Sequence, residues 1–258
     1  MKQSIFLTIA ILATAVIAFV IYSFVLGDPG NFLNGEARTK PANLLGTVYT
    51  GGWVVPVLIT LTLLDITLVF ERIFSLRKAN GKQSIPTFVK ALQSSLIAGK
   101  IDDAIKACDA QRGSAANIIR TGLERYKQIK DEKLEAEKKL SETQRAIEEA
   151  TALETPLLER NLIALSTIAS IATMFGLLGT VIGMIRSFTA LARAGAPDSV
   201  QLSIGISEAL INTALGLIAA IVGIVAYNFF VTKVDSFTYM IDEASYSVVQ
   251  ILNSKTND

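Results

Sequence analysis

The sequence predicts an all-α integral membrane protein with four transmembrane helices and a helical cytoplasmic domain between helices 2 and 3. Three observations lead there. The 258 residues are 51% hydrophobic and 18% charged, with a mean hydropathy of +0.46, an apolar excess beyond that of a water-soluble domain. The apolar residues gather into four runs, each long enough at ~1.5 Å per residue to cross a hydrocarbon core of ~30 Å. Between the second and third runs lies a segment rich in Lys, Arg, Asp and Glu.

Residues 1–26 are read as transmembrane helix 1. Lys2 gives the positive start of a secretory signal, but Ile5–Leu26 is too long an apolar run for one and no A-x-A site follows, so an anchor is expected. Residues 27–52 mix Gly, Pro and Asn with Asp28, Glu36, Arg38 and Lys40, the composition of an exposed periplasmic loop. Helix 2 is assigned to residues 53–76 and contains Asp65, for which a structural role is expected, at the inner interface or bonded to a Thr of a neighbouring helix. The basic cluster Arg72, Arg77, Lys78 and Lys82 follows, and positive flanks stay in the cytoplasm. Residues 77–157 are therefore placed in the cytoplasm, with helices over 85–98 and 101–110 and one long charged helix over 118–153. The centre of that last stretch, EKLEAEKKLSETQRAIEEA, is too polar for a core and reads as a solvated helix laced with i,i+4 pairs.

After Pro156 come helix 3 (158–188), a second periplasmic loop (189–203, with Arg193, Gly195, Pro197 and Asp198), helix 4 (204–232) and a cytoplasmic helix or tail (233–258). Helix 3 carries Ala169, Ala172, Gly176, Gly179 and Gly183 at three- and four-residue spacing, and helix 4 repeats the pattern with Gly205, Ala209, Gly216, Ala220 and Gly223. Small-residue stripes let helices pack closely in lipid, where van der Waals contact replaces the hydrophobic effect. Polar residues accompany them: Ser166, Ser170, Thr173, Thr180 and Ser187 on helix 3, and Ser207, Glu208, Asn212 and Thr213 on helix 4. Thr180 precedes Arg186 by six residues and Thr213 follows Glu208 by five, which puts both roughly 8 Å below the outer helix ends and at one depth. Two readings stand for Glu208: a functional intramembrane carboxylate, or an acid suited to the dipole of a helix start after Ser203.

The chain contains no His and a single Cys, Cys108, which excludes disulfides, His-based relays and Ser-His-Asp catalysis; no GxxxxGK[ST] loop occurs, and no cofactor or metal is expected. Twenty-four basic residues balance 23 acidic ones, which speaks against a nucleic-acid partner.

GLLGTVIGMIRSF (176–188) and GISEALINTALGLIAAIVGIVAYNFF (205–230) resemble the two signature helices of the ExbB/TolQ/MotA proton-channel family, and ERNLIALSTIASIA before them and Glu71–Arg72 at the end of helix 2 fit the same pattern. The resemblance is specific over 159–230, loose before that, and nearer to ExbB in wording. It implies a homopentameric ring in the inner membrane of a Gram-negative bacterium, around a single-span partner of the ExbD, TolR or MotB type that supplies a proton-accepting membrane Asp. It further implies a TonB-like protein as the recipient of the work. Thr180 and Thr213 correspond to the family's pore threonines and Glu208 to its pore-mouth glutamate, with Asn212 and Thr173 completing the candidate ion pathway. Gly176, Gly179, Gly183, Gly216 and Gly223 are the candidate packing set. Thr173 and Val222 stand where the family often shows prolines, and the extra first helix departs from the three-span ExbB and TolQ branches and matches the flagellar branch in count. Other classes are a passive membrane scaffold and a secondary transporter; neither an inverted repeat nor a broken helix supports the second. H⁺ and Na⁺ both remain open as the coupling ion, as does the load.

Overall fold

The computed structural model describes residues 2–38, 40–130, 132, 135–192 and 198–257. Arg193, Gly195 and Pro197 of the second periplasmic loop lie outside them. The helices are α1 (Lys2–Val20, continued by a π-helical turn at Ile21–Leu26), α2 (Leu44–Tyr49), α3 (Val54–Asn80), α4 (Ile85–Ile97), α5 (Ile101–Gln111), α6 (Ser114–Ile129), α7 (Ala136–Leu158), α8 (Leu162–Leu191) and α9 (Ser199–Asn257). Four stretches are long and apolar enough to cross a membrane: Ile5–Leu26 and windows within Val54–Ile97, Ala136–Leu191 and Ser199–Lys255. The chain is thus an all-α protein of four apolar helices, with a helical non-membrane domain between the second and third.

Two compact units result, Met1–Phe70 with Asn161–Asn228, and Glu71–Arg160 with Phe229–Asp258. In the first, α8 and α9 bury their small residues: Ala169, Ala172, Gly176, Gly179 and Gly183 on one, Gly205, Ala209, Gly216, Ala220 and Gly223 on the other. Their large side chains, Leu177, Val181, Ile185 and Phe188 on α8 and Leu217, Ile218, Ile221 and Val225 on α9, are exposed. In water this would be inside out; in lipid it leaves the small faces to pack and the large ones to meet acyl chains or other helices. Helix α1 is the least buried of the four, with 17% of its apolar window covered against 33% for each of the others. Its C-terminal end is tied to the following loop, where Asn31 Nδ2 donates to the carbonyls of Val25 (2.7 Å) and Leu26 (3.1 Å) and Tyr22 stacks on Tyr49 at 4.7 Å.

The second unit has a conventional apolar core. Phe88, Leu92 and Leu96 of α4 recur at helical spacing and meet Ala104 and Cys108 of α5, Ile119, Leu123 and Tyr126 of α6, and Ala244, Val248 and Leu252 of α9. The sequence separated 77–157 from 233–258, whereas the structure joins the end of α9 to the middle domain in one core. The expected single charged helix over 118–153 is two, α6 and α7, packed as a hairpin: Ile147 of α7 seats against Gly122 of α6, and Arg125 binds Glu142 at 2.7 Å. The outer face of α7 keeps the predicted i,i+4 pairing, with Arg145 on Glu149 at 2.9 Å. Pro156 sits inside α7, and the helix ends two residues later at Leu158, whose carbonyl accepts from Arg72 Nη1 at 3.2 Å. Arg72 is buried and forms two bonds to Glu71, 2.7 and 2.5 Å, so its charge is neutralised where it is covered.

Burial in this core pushes the Cys108 thiol up from 9.0 to about 12. At neutral pH its thiolate fraction is about a thousandfold below that of a free cysteine. The full chain in detergent is expected to resist maleimide until unfolded, and labelling of the folded protein at the rate of a free thiol would contradict this burial. The folded-state value exceeds the unfolded one, so this group's contribution to stability is intact below pH 9.0 and is lost as pH rises toward 12.

Candidate functional site: a polar cluster on the α8–α9 seam

The α8–α9 seam is closed by backbone-to-backbone approach. A Cβ added to Gly183 would lie 2.5 Å from the Gly205 carbonyl oxygen and 2.6 Å from Ala209 N, and one on Gly216 would lie 2.8 Å from Gly176 Cα. Asn212 fills the notch at Gly179. Gly223 receives Ala169 Cβ, the Leu165 carbonyl oxygen and Asp65 Oδ2, all between 2.9 and 3.1 Å from where its Cβ would be. The glycines of the two stripes are therefore the contact surface itself.

At the Arg186 end of the seam sits a polar cluster. Glu208 is fully buried, and its Oε2 accepts from Arg186 Nη1 at 2.6 Å. Arg186 is half-exposed, at 55%. Helix α9 begins at Ser199, so Glu208 lies in its third turn, out of reach of the orphan N–H groups that make a helix start attractive to an acid. The helix-start reading is thereby corrected: the Arg186 guanidinium, not the dipole, is what this carboxylate faces. One turn deeper, buried Asn212 donates from Nδ2 to the Gly51 carbonyl at 2.9 Å. Thr50 and Ser207 hydroxyls lie 3.4 Å apart, and Ser187 donates to the Leu202 carbonyl at 3.1 Å. Among the described residues Glu208 Oε1 and Asn212 Oδ1 have no hydrogen-bond partner.

Gly51 and Gly52 were legible only as loop composition, yet they form the floor of this cluster. Gly52 has φ +72, a conformation costly for any residue with a Cβ, and such an atom would lie 2.9 Å from Glu208 Oε1. Arg186 was read only as a marker of the helix end. Its role as the counter-ion of Glu208 depends on a contact 22 residues away in sequence that spacing along one helix does not reveal.

The threonines lie deeper. Thr180 and Thr213 flank the Gly179–Asn212 contact on opposite sides, one residue each, which in an antiparallel pair separates them by ~3 Å in depth. Thr213 joins Thr173, Gly176, Leu177 and Leu217 around a cavity of about 20 Å³, room for roughly one water molecule. Thr180 is outside that lining. All three hydroxyls donate to their own helix, Thr173 to Ala169 O (3.1 Å), Thr180 to Leu177 O (2.6 Å) and Thr213 to Ala209 O (3.1 Å). Each keeps oxygen lone pairs free to accept. Asp65 makes no bond to a neighbouring threonine: it is fully buried and both its oxygens lack a partner among the described residues.

A profile of the MotA/TolQ/ExbB proton channel family matches residues 110–243. Biopolymer transport protein ExbB of Aquifex aeolicus is 34% identical over 116 residues, 45% of this chain and 71% of that protein. The Tol-Pal system protein TolQ of Haemophilus influenzae is 30% identical over 176 residues, 68% of this chain and 76% of its own length. ExbB of Pseudomonas putida is 38% identical over 89 residues, covering 34% of this chain and 27% of that protein. The relatives divide between ExbB and TolQ names, so the expected closeness to ExbB is replaced by membership of the family as a whole. Such a protein is a channel-type membrane subunit, not an enzyme, set in the inner membrane with the domain between its second and third spans on the cytoplasmic side. The Arg186–Glu208 pair and the glycine seam lie inside the matched segment, and on the breadth of that match the chain belongs to the MotA/TolQ/ExbB proton channel family.

Proposed function

We propose that this chain is the channel-forming ring subunit of a motor driven by the proton-motive force. Five copies would surround the transmembrane helices of an ExbD-, TolR- or MotB-like partner, and inward proton flow would be converted into mechanical work on the envelope. The observation that carries the reading is the α8–α9 seam, with a buried carboxylate held by Arg186 at one end and, deeper in, a threonine-lined cavity the size of a water molecule. A proton crossing 100 mV releases ~2.3 kcal/mol, enough to favour a small displacement of the partner once its Asp is neutralised. Without histidine, and with both span carboxylates away from the cavity lining, hydroxyls and water are the groups available as a relay along this chain. The exposed apolar faces of α8 and α9 suit contact with further copies of the chain or with the partner.

The load proposed is TonB-dependent outer-membrane transport, by the resemblance of 176–188 and 205–230 to ExbB. A Tol-type load is the second reading, favoured by the TolQ alignment that covers 68% of the chain. Thr180→Val and Thr213→Val remove a hydroxyl at nearly constant volume. Each is expected to leave the complex assembled while energised work in cells, and proton flux in vesicles containing the chain and its partner, fall to about a tenth or less, the scale of losing one positioned proton-transfer group. Wild-type work by both variants would overturn the reading.

A further inference from the structure

Asp65 is a carboxyl group within a span that the site above does not use; Glu71, nearer the end of the same helix, is bound by Arg72. It lies in α3, has no exposed surface, and neither oxygen has a hydrogen-bond partner among the described residues. The nearby threonines of its own helix donate elsewhere, Thr62 to Leu58 O and Thr67 to Leu63 O. Its Oδ2 is received at the notch of Gly223 on α9, beside Ala169 and the Leu165 carbonyl of α8. Oδ2 and the Leu165 carbonyl oxygen, both acceptors, border the same notch, and no donor reaches either carboxyl oxygen among the described residues, an arrangement that is unfavourable unless the carboxyl itself carries a hydrogen to donate.

The surroundings supply no counter-charge. Helix α8 from 162 to 185, α9 from 209 to 226 and the apolar run 5–26 contain no charged side chain. Along α3 the next charges are Glu71 and Arg72, which bind each other, and Glu208 is 15 residues from Gly223 along α9 and held by Arg186. Titratable groups on or next to these elements include the phenols Tyr22 and Tyr227, Lys233 ten residues past Gly223 on α9, and Glu159 and Arg160 just before α8. An ionised, isolated carboxylate is not tolerated in such a place, and neutralisation by a proton is the ordinary resolution.

We propose that Asp65 is a proton-loading carboxyl group of this chain, a second acid station about 22 Å inward of Glu208 along α9 at ~1.5 Å per residue. It holds a proton in the resting seam and exchanges it during ion flow. Its part in flux rests on the channel reading; its occupancy by a proton does not. Gly223 is then small because a carboxylic acid must fit beside it.

Dicyclohexylcarbodiimide, an apolar reagent that attacks protonated carboxyl groups, tests this on the full chain with its partner in membrane vesicles, the adduct being mapped by mass spectrometry. Asp65 is expected to be labelled at neutral pH and exposed surface carboxylates not, with labelling falling about tenfold per pH unit above its midpoint. Asp65→Asn should abolish the adduct and reduce proton flux at least about tenfold, and Asp65→Glu should restore part of both, the scale expected for a positioned proton-transfer group. The absence of an adduct on wild-type Asp65 would overturn the proposal, as would wild-type flux in Asp65→Asn or protection of Asp65 by Na⁺. Absence of flux in the wild-type complex itself would instead count against the channel reading, and the adduct and its pH profile would then decide the proposal alone.

Discussion

Arg186→Leu is expected to destabilise the chain by about 2–3 kcal/mol, below the ~3–5 kcal/mol of a fully buried ion pair because the guanidinium is half-exposed. The cost comes from the partner left behind. Glu208 has no exposed surface and one oxygen already unpaired, so without Arg186 it is a buried acid with no cation against it. Glu208→Gln keeps the shape and one acceptor oxygen for Arg186 while removing the buried charge, and should cost less. The double variant Arg186→Leu/Glu208→Leu separates packing from function: replacing both charges by apolar side chains removes the buried charge and should recover most of the stability. It should not recover proton flux or energised work, because the mouth of the seam then has no charged group. Thermal unfolding in detergent and flux in vesicles measure the two. Single and double variants equally unstable would show that the pair contributes by packing alone, and full flux in the double variant would remove the cluster from the ion path.

The four apolar runs and their approximate ends were legible because hydrophobic length in lipid is nearly a sufficient condition for a spanning helix. The small-residue stripes were legible for a related reason: periodicity along one helix states which face is narrow. What periodicity cannot state is the partner of that face. Gly51 and Gly52 carry the signal of any turn, and only the fold sets them under Asn212 and Glu208. Glu208 looked like a helix-start acid because the apolar run begins near it, but the helix itself begins at Ser199, in residues too polar to count as a span. The α6–α7 hairpin was hidden in the same way. Polar helix formers run across residues 118–153 without a glycine other than Gly122 or any proline, and it is the seating of Ile147 on Gly122 that pairs the two halves. Burial of Asp65 was invisible because an acid one and a half turns from a basic membrane boundary looks close enough to water to be solvated.

Gly183→Ala should be among the most damaging single-methyl additions, and it should be clearly worse than Gly176→Ala. At Gly183 the added carbon meets Gly205 O, Ala209 N and Ala209 Cβ at 2.5, 2.6 and 2.9 Å, two of them backbone atoms of α9 that cannot rotate away. At Gly176 the nearest atoms are Asn212 O, Gly216 Cα and Thr213 Cα at 3.1, 3.2 and 3.6 Å, so a shift of a few tenths of an ångström suffices. Alanine gains up to about 1 kcal/mol over glycine within a helix, while overpacking a tight interface costs about 1–3 kcal/mol. The two effects nearly cancel at Gly176; at Gly183 overpacking wins, by about 2 kcal/mol, since α8 and α9 must separate. Gly183 is three residues from Arg186, and Ala209 adjoins Glu208. Separation there pulls the 2.6 Å ion pair apart, so Gly183→Ala should lower flux as the Arg186→Leu/Glu208→Leu double variant does, without touching a charge. Comparable melting temperatures and flux for the two alanine variants would mean that the seam is not held by glycine contact.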